Sequence, residues 1–162
     1  MYDRIVFLHV LGAFAFVMAH GVSANVSFKL RHETSRERIA ALLDVSTAYL
    51  SAMYIALLVM LLTGIALGFM GTWWGQGWIW TALGLLLAEF FAMYAMATRP
   101  FAQLRKAVGL PYSEGRKRQS ALPPASPEEI ASRAAAINPI PVTTVGFGGL
   151  AVIVWLMMFK PF

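Results

Sequence analysis

The chain has 162 residues, of which 59% are hydrophobic, and a formal net charge of +5. It contains no cysteine, which excludes disulfides, thiolate metal ligands and iron–sulfur clusters. Eleven of its thirteen Lys and Arg fall in two segments between apolar stretches, so the positive charge reports membrane topology and contact with anionic lipid heads, not nucleic acid.

The apolar stretches are 5–26, 45–69, 78–97 and 142–159. Crossing a hydrocarbon core takes roughly 20 mostly apolar helical residues, and each stretch comes close to that length. Backbone polar groups cannot stay unpaired in lipid, so the expected crossings are helices, at about 5–27, 35–69, 78–98 and 142–159. The strand alternation of a membrane barrel is absent. The fold class expected is all-α: one membrane domain, 1–162, forming an integral membrane four-helix bundle.

The first stretch carries two histidines, His9 and His20. They are 11 residues apart, which puts them on one helical face and roughly 16 Å apart along the axis. They cannot share one small ion, but each could anchor its own site. Val22-Ser23-Ala24 resembles a signal-peptidase site, yet Asp3 offsets Arg4 and leaves a weak basic start, so the stretch is expected to stay as a span.

The segment that follows carries Lys29, Arg31, Arg36 and Arg38. Within it Thr34-Ser35-Arg36-Glu37 matches a capping box, with Thr34 as the N-cap of a helix leading into the second span. That span holds Gly64 and Gly68, four apart, a spacing that suits close helix packing or a homodimer face.

The connection 70–77 is uncharged. Trp73, Trp74, Trp78, Trp80 and Trp155 all gather at that level, where an aromatic belt forms. With basic loops held in the cytoplasm, the topology reads up-down-up-down with both termini outside.

The third span has small residues at helical spacing, Thr81, Gly84, Ala88, Ala92 and Ala95, expected to face the bundle. It also holds Glu89, 11 residues in from Trp78. A carboxylate at such depth costs a few kcal/mol. No Lys or Arg lies at comparable depth, so its partner is expected to be His9, His20, a hydroxyl such as Tyr54 or Thr63, an ion or water.

Beyond this span, 109–125 mixes proline, serine and basic residues and reads as a loop. Ser126-Pro127-Glu128-Glu129 opens a short interfacial helix on the cytoplasmic side, about 127–137, ended by Asn138-Pro139 and Pro141. The fourth span carries Gly146, Gly148 and Gly149 near its inner end, as the first carries Gly12, Ala15 and Ala19.

Neutral imidazole ligates haem or copper, and bundle sites use side chains from facing helices. The expected cofactor-binding residues are His9, His20, Met53 and Met93, with His9 as metal ligand. Glu89 and Tyr54 would orient the ligands or relay protons. The bland alternatives are a histidine bonded across the bundle and methionines acting as core filler.

The run Phe7-Leu8-His9-Val10-Leu11-Gly12-Ala13-Phe14 resembles the Leu-His opening of bacterial membrane families grouped around the copper-resistance D and HemJ-type protoporphyrinogen oxidase proteins, and resembles a four-helix bacterial branch more closely still. The resemblance covers one helix of four and implies haem b or copper at His9. The sequence departs from those relatives in having no histidine on the other spans, which leaves enzymatic activity open. The leading expectation, with the location that the resemblance implies, is therefore a small protein of the bacterial cytoplasmic (inner) membrane holding haem b or a metal, for electron transfer or metal handling. The alternatives are an accessory or scaffold subunit of a homodimer or larger membrane complex, and a proton or cation pathway through Glu89 and the first-helix histidines.

Overall fold

The computed structural model describes residues 1–115 and 117–162. Its helices are α1 (Tyr2–Leu30), α2 (Arg36–Met70), α3 (Gly77–Met93), α4 (Arg99–Ala107), α5 (Pro127–Ala135) and α6 (Pro139–Phe159). A 3₁₀ turn, Trp73–Gly75, leads into α3, and a π-helical turn, Tyr94–Thr98, joins α3 to α4. Four helical runs are long and apolar enough to cross a membrane: Tyr2–Leu30, Arg36–Met70, Gly77–Ala107 and Pro127–Phe159.

α1 and α2 run antiparallel and in contact along their length. Gly12 lies against the α2 backbone at Ala56 and Met60, and the Ser23 and Ser46 hydroxyls meet at 3.3 Å near the other end. α3 packs on α6 through Trp78, Ile79, Ala82, Ile153 and Leu156. Contact between α1 and α6 joins the two pairs. Most large apolar side chains of the spans point outward, Phe7, Leu62, Phe91 and Met158 among them. That is the arrangement of a chain whose spans are solvated by lipid tails, where close packing of small residues holds helices together.

The packing face of α3 differs from the one its small residues suggest. Thr81, Gly84, Ala88 and Ala95 are exposed, Ala92 is half-buried, and nothing approaches the Gly84 Cβ position within 4 Å. The inward face is set by the bulky residues at the start of the helix, where Trp78 is 2% exposed against α6. Nor are Gly64 and Gly68 free for a homodimer: His9 covers the first, and Trp74 with Ile79 covers the second.

The basic end carries a compact cap. Val26 and Leu30 of α1, Ile39 and Leu43 of α2, Leu104 of α4 and Ile130 of α5 form one closed apolar cluster. Arg105 ties it to the spans, its Nη1 donating to Asp44 Oδ1 at 2.9 Å and Thr47 Oγ1 at 3.0 Å, its Nε to the Pro111 carbonyl at 2.9 Å. Arg36 Nε donates to the Val108 carbonyl at 3.0 Å. The short helix α5 packs against α4 within this cap, as its Ile130 and Ala134 demand.

Several local readings shift. The N-cap of α2 is Ser35, not Thr34: its hydroxyl oxygen accepts from the Arg38 N–H at 3.4 Å. Glu33 causes the shift, its carboxylate accepting the N–H groups of both Thr34 and Ser35 at 3.0 Å and pinning the turn one residue later. The Ser126 cap forms as its sequence indicates, accepting from Glu129 N–H at 3.3 Å. α6 starts at Pro139 and not at 142, because Asn138 Oδ1 caps it through the Ile140 N–H at 3.2 Å and proline fits a first turn.

The third span runs through to Ala107, with the π-helical turn lying directly before Pro100, where the proline's missing N–H interrupts the α-helical ladder. Within 109–125, Tyr112–Glu114 and Lys117–Gln119 pair as a small antiparallel hairpin where a loop was expected.

Candidate functional site

His9 projects from α1 onto α2. Its Nδ1 lies 2.9 Å from the Met60 carbonyl oxygen and 3.1 Å from Thr63 Oγ1. A carbonyl only accepts, so the ring donates from Nδ1. The Thr63 hydroxyl donates to the Val59 carbonyl at 2.6 Å, which leaves its oxygen as a second acceptor for the same N–H. In the neutral ring this hydrogen bond fixes the tautomer and leaves Nε2 with a bare lone pair. Gly64 makes the fit possible, since a Cβ there would stand 3.1 Å from His9 Cε1.

His20, three helical turns further along α1, is buried and meets α6. Its ring stacks on Phe16 at 6.2 Å between centroids and takes the edge of Phe147 at 5.0 Å. It occupies the space that a side chain at Gly146 would fill: any Cβ there would overlap the imidazole. Its Nε2 is buried without a hydrogen-bond partner.

Glu89 reaches α6 from the other side, from α3. Its carboxyl lies over Gly149, where a Cβ would come to 2.9 Å of Oε2, and Oε2 is buried without a partner. Gly146 and Gly149 are three residues apart on one helix, which places their Cβ positions about 5–6 Å apart. The unpartnered His20 and Glu89 atoms, each resting on one of these glycines, are therefore no more than about 11 Å apart. α6 acts as a glycine-cleared seat between an imidazole and a carboxyl.

The other candidate residues lie elsewhere. His9 and His20 do not share a neighbour: His9 lies against α2 and His20 against α6. Tyr54 is exposed on α2, and Thr63 serves His9 and not Glu89. Met53 and Met93 are half-buried. The methionine that meets His9 is Met60, through its backbone carbonyl and not its sulfur. Among the described residues, no three His, Cys, Asp or Glu gather where they could hold a metal ion. His9 itself offers a single ring nitrogen, Nε2, as a ligand. The part that sequence reasoning missed is the seat itself. Gly146 and Gly149 stand out as packing glycines, and their spacing of three was the available sign of two neighbouring notches on one face.

Compared with protein-family models, with curated proteins and with solved structures, the chain matches none.

Proposed function

We propose that the chain is a multi-pass protein of the bacterial cytoplasmic membrane, up-down-up-down with both termini outside, whose His20–Glu89 pair takes up and passes a proton or small cation. The observation that carries this reading is the pair of buried, unpartnered polar atoms on adjacent notches of α6. A buried polar group left unsatisfied is expensive, and a membrane span tolerates ionisable groups mainly where they serve a pathway. A short file of waters, with or without a cation among them, would span that gap, satisfy both groups and link them in a relay. The orientation follows from the basic residues at the cap end and the tryptophans at the other.

The test is proton flux in vesicles. Purified protein should speed the decay of an imposed pH gradient, read by an internal dye, and Glu89→Gln or His20→Phe should return the rate to that of empty vesicles. Wild-type vesicles no faster than empty ones would end the reading. Orientation is checked by single cysteines in this cysteine-free chain. Ser113→Cys should label only from the cytoplasm, and Phe162→Cys only from outside.

A second reading places haem b or a metal at His9, and one observation favours it: the Nδ1–H bond to Met60 leaves Nε2 free to ligate. Under it, purified protein shows a Soret band that His9→Ala removes, whereas a colourless, metal-free preparation excludes it.

A further inference from the structure

The turn between α1 and α2 borders an open groove of about 480 Å³. Lys29, His32, Glu33 and Arg38 form its rim, and Leu42 and Val45 its wall. We propose that this groove binds the phosphate of an anionic phospholipid, with an acyl chain running along α2 past Val45. The proposal rests on the membrane orientation above and is independent of His20 and Glu89.

Three features point to that ligand. The first is the order of side chains. Arg38, Leu42, Val45 and Tyr49 follow one another at helical spacing on α2, from the charged turn toward the span, and Val45 and Tyr49 are exposed. Charge at the end and apolar surface below it is the depth profile of a phospholipid at the edge of a bilayer.

The second feature is the state of the one carboxylate present. Glu33 accepts the Thr34 and Ser35 backbone N–H groups at 3.0 Å each, so its charge is already met by fixed donors. Those bonds, the one from Ser35 foremost, hold its carboxyl below the usual carboxylate range. It therefore does not need the cations for itself.

The third feature is the freedom of the cations. Arg38 stands 3.8 Å from Glu33, with its side chain 78% exposed, a loose contact that leaves the guanidinium able to turn onto a phosphate. Lys29 lies in the last turn of α1, on the same rim. A free phosphate would use these cations and leave the wall of Leu42 and Val45 bare, whereas a zwitterionic lipid would not call for two cations.

The test uses the full chain in detergent micelles, with bound lipid counted by native mass spectrometry. Dioleoyl-phosphatidylglycerol should be retained in preference to dioleoyl-phosphatidylcholine. The double variant Lys29→Gln with Arg38→Gln should reduce that preference by about tenfold or more, from the loss of two cations near the surface. The charge-matched control, Lys117→Gln with Arg118→Gln on the hairpin, should leave it unchanged. Val45→Asn should weaken retention of the dioleoyl lipid without changing binding of glycerol phosphate. Arg38→Gln alone, at an exposed position, should show the same trend and guards against misfolding of the double variant. Equal losses in both double variants would reduce the effect to diffuse charge and overturn the site. Displacement of the lipid by inorganic phosphate at equal concentration would make it a free-anion site instead. No preference between the two lipids would likewise overturn it.

Discussion

The cap and the spans of this chain solve different problems with the same residue types. In the cap, Leu30, Ile39 and Leu104 are fully buried, and each removes its whole side chain from water. In the spans, many leucines and phenylalanines are turned outward, and beside the contact of Trp78 and Ile79 with Ile153 and Leu156 the closest approaches are made by Gly12, Gly64, Gly146 and Gly149 against backbone or against polar side chains. Where water is the solvent, burying apolar area is the driving force. Where lipid is the solvent, leucine gains little by moving inward, and shape decides. The polar side chains then take the notches that glycine leaves.

The contrast is broken most directly by truncating one leucine on each side. Leu104→Ala should lower stability by about 2–5 kcal/mol, as a buried leucine in a closed core does. Leu62→Ala, exposed on α2, should change it by less than about 0.5 kcal/mol. Thermal unfolding in micelles reads both, and equal losses would mean that the cap is not a separate core.

Glycine substitutions sharpen the other half. Gly148→Ala faces open space and should hold or slightly raise stability, since alanine is the better helix former by about 0.5–1 kcal/mol. Gly146→Ala puts a methyl into the His20 ring and should lower stability by about 1–3 kcal/mol despite the same gain in propensity. Matching signs for the two would remove the seat.

Arg105 links the halves. Arg105→Gln gives up its bonds to Asp44, Thr47 and Pro111 and should lower the unfolding midpoint by an amount worth about 1–2 kcal/mol, since Asp44 itself is well exposed. A variant with an unchanged midpoint would show the cap docked by apolar contact alone.

The smallest effect is that of acid. Glu33, Glu37 and Glu128 are all held below their ordinary value of 4.5: Glu33 by the Ser35 N–H, Glu37 and Glu128 each by its own backbone N–H, then by the Ser35 and Ser126 hydroxyls. A lowered folded value means that the unfolded chain binds the proton more readily. Their stabilisation is thus complete above pH 4.5 and fades as pH falls through the lower folded values. Helix content followed by circular dichroism should show a shallow loss below pH 4.5, reduced when Glu33 and Glu128 are both replaced by Gln. A loss that begins near neutral pH would have another origin.

The four spans were legible because apolar length is a property of the sequence itself. So were the ionisable residues, since His20 and Glu89 contradict their surroundings wherever the helices happen to pack. Their shared neighbour was not legible, because which face of α3 meets α6 depends on Trp78 finding Ile153 and Leu156 across nearly eighty residues. The small-residue stripe from Thr81 to Ala95 misled for the same reason: spacing marks a face but does not say what lies opposite. The hairpin at Tyr112–Gln119 is three residues to a strand, shorter than any alternation can announce, and only Gly115, at φ 61°, marks its turn.

The π-helical turn at Tyr94–Thr98 works as a phase shifter between the two solvents. An α-helix advances about 100° per residue, and a π turn holds one residue more than the α turn it replaces. Everything after Thr98 is therefore rotated by about 100° relative to an unbroken continuation of α3. That rotation brings Leu104 and Ala107 over the cap while Glu89, on the same rod, still faces α6. Deleting a single residue from Tyr94–Thr98 should restore a uniform helix and put the two ends out of step, so that the chain could seat its carboxyl or close its cap, but not both.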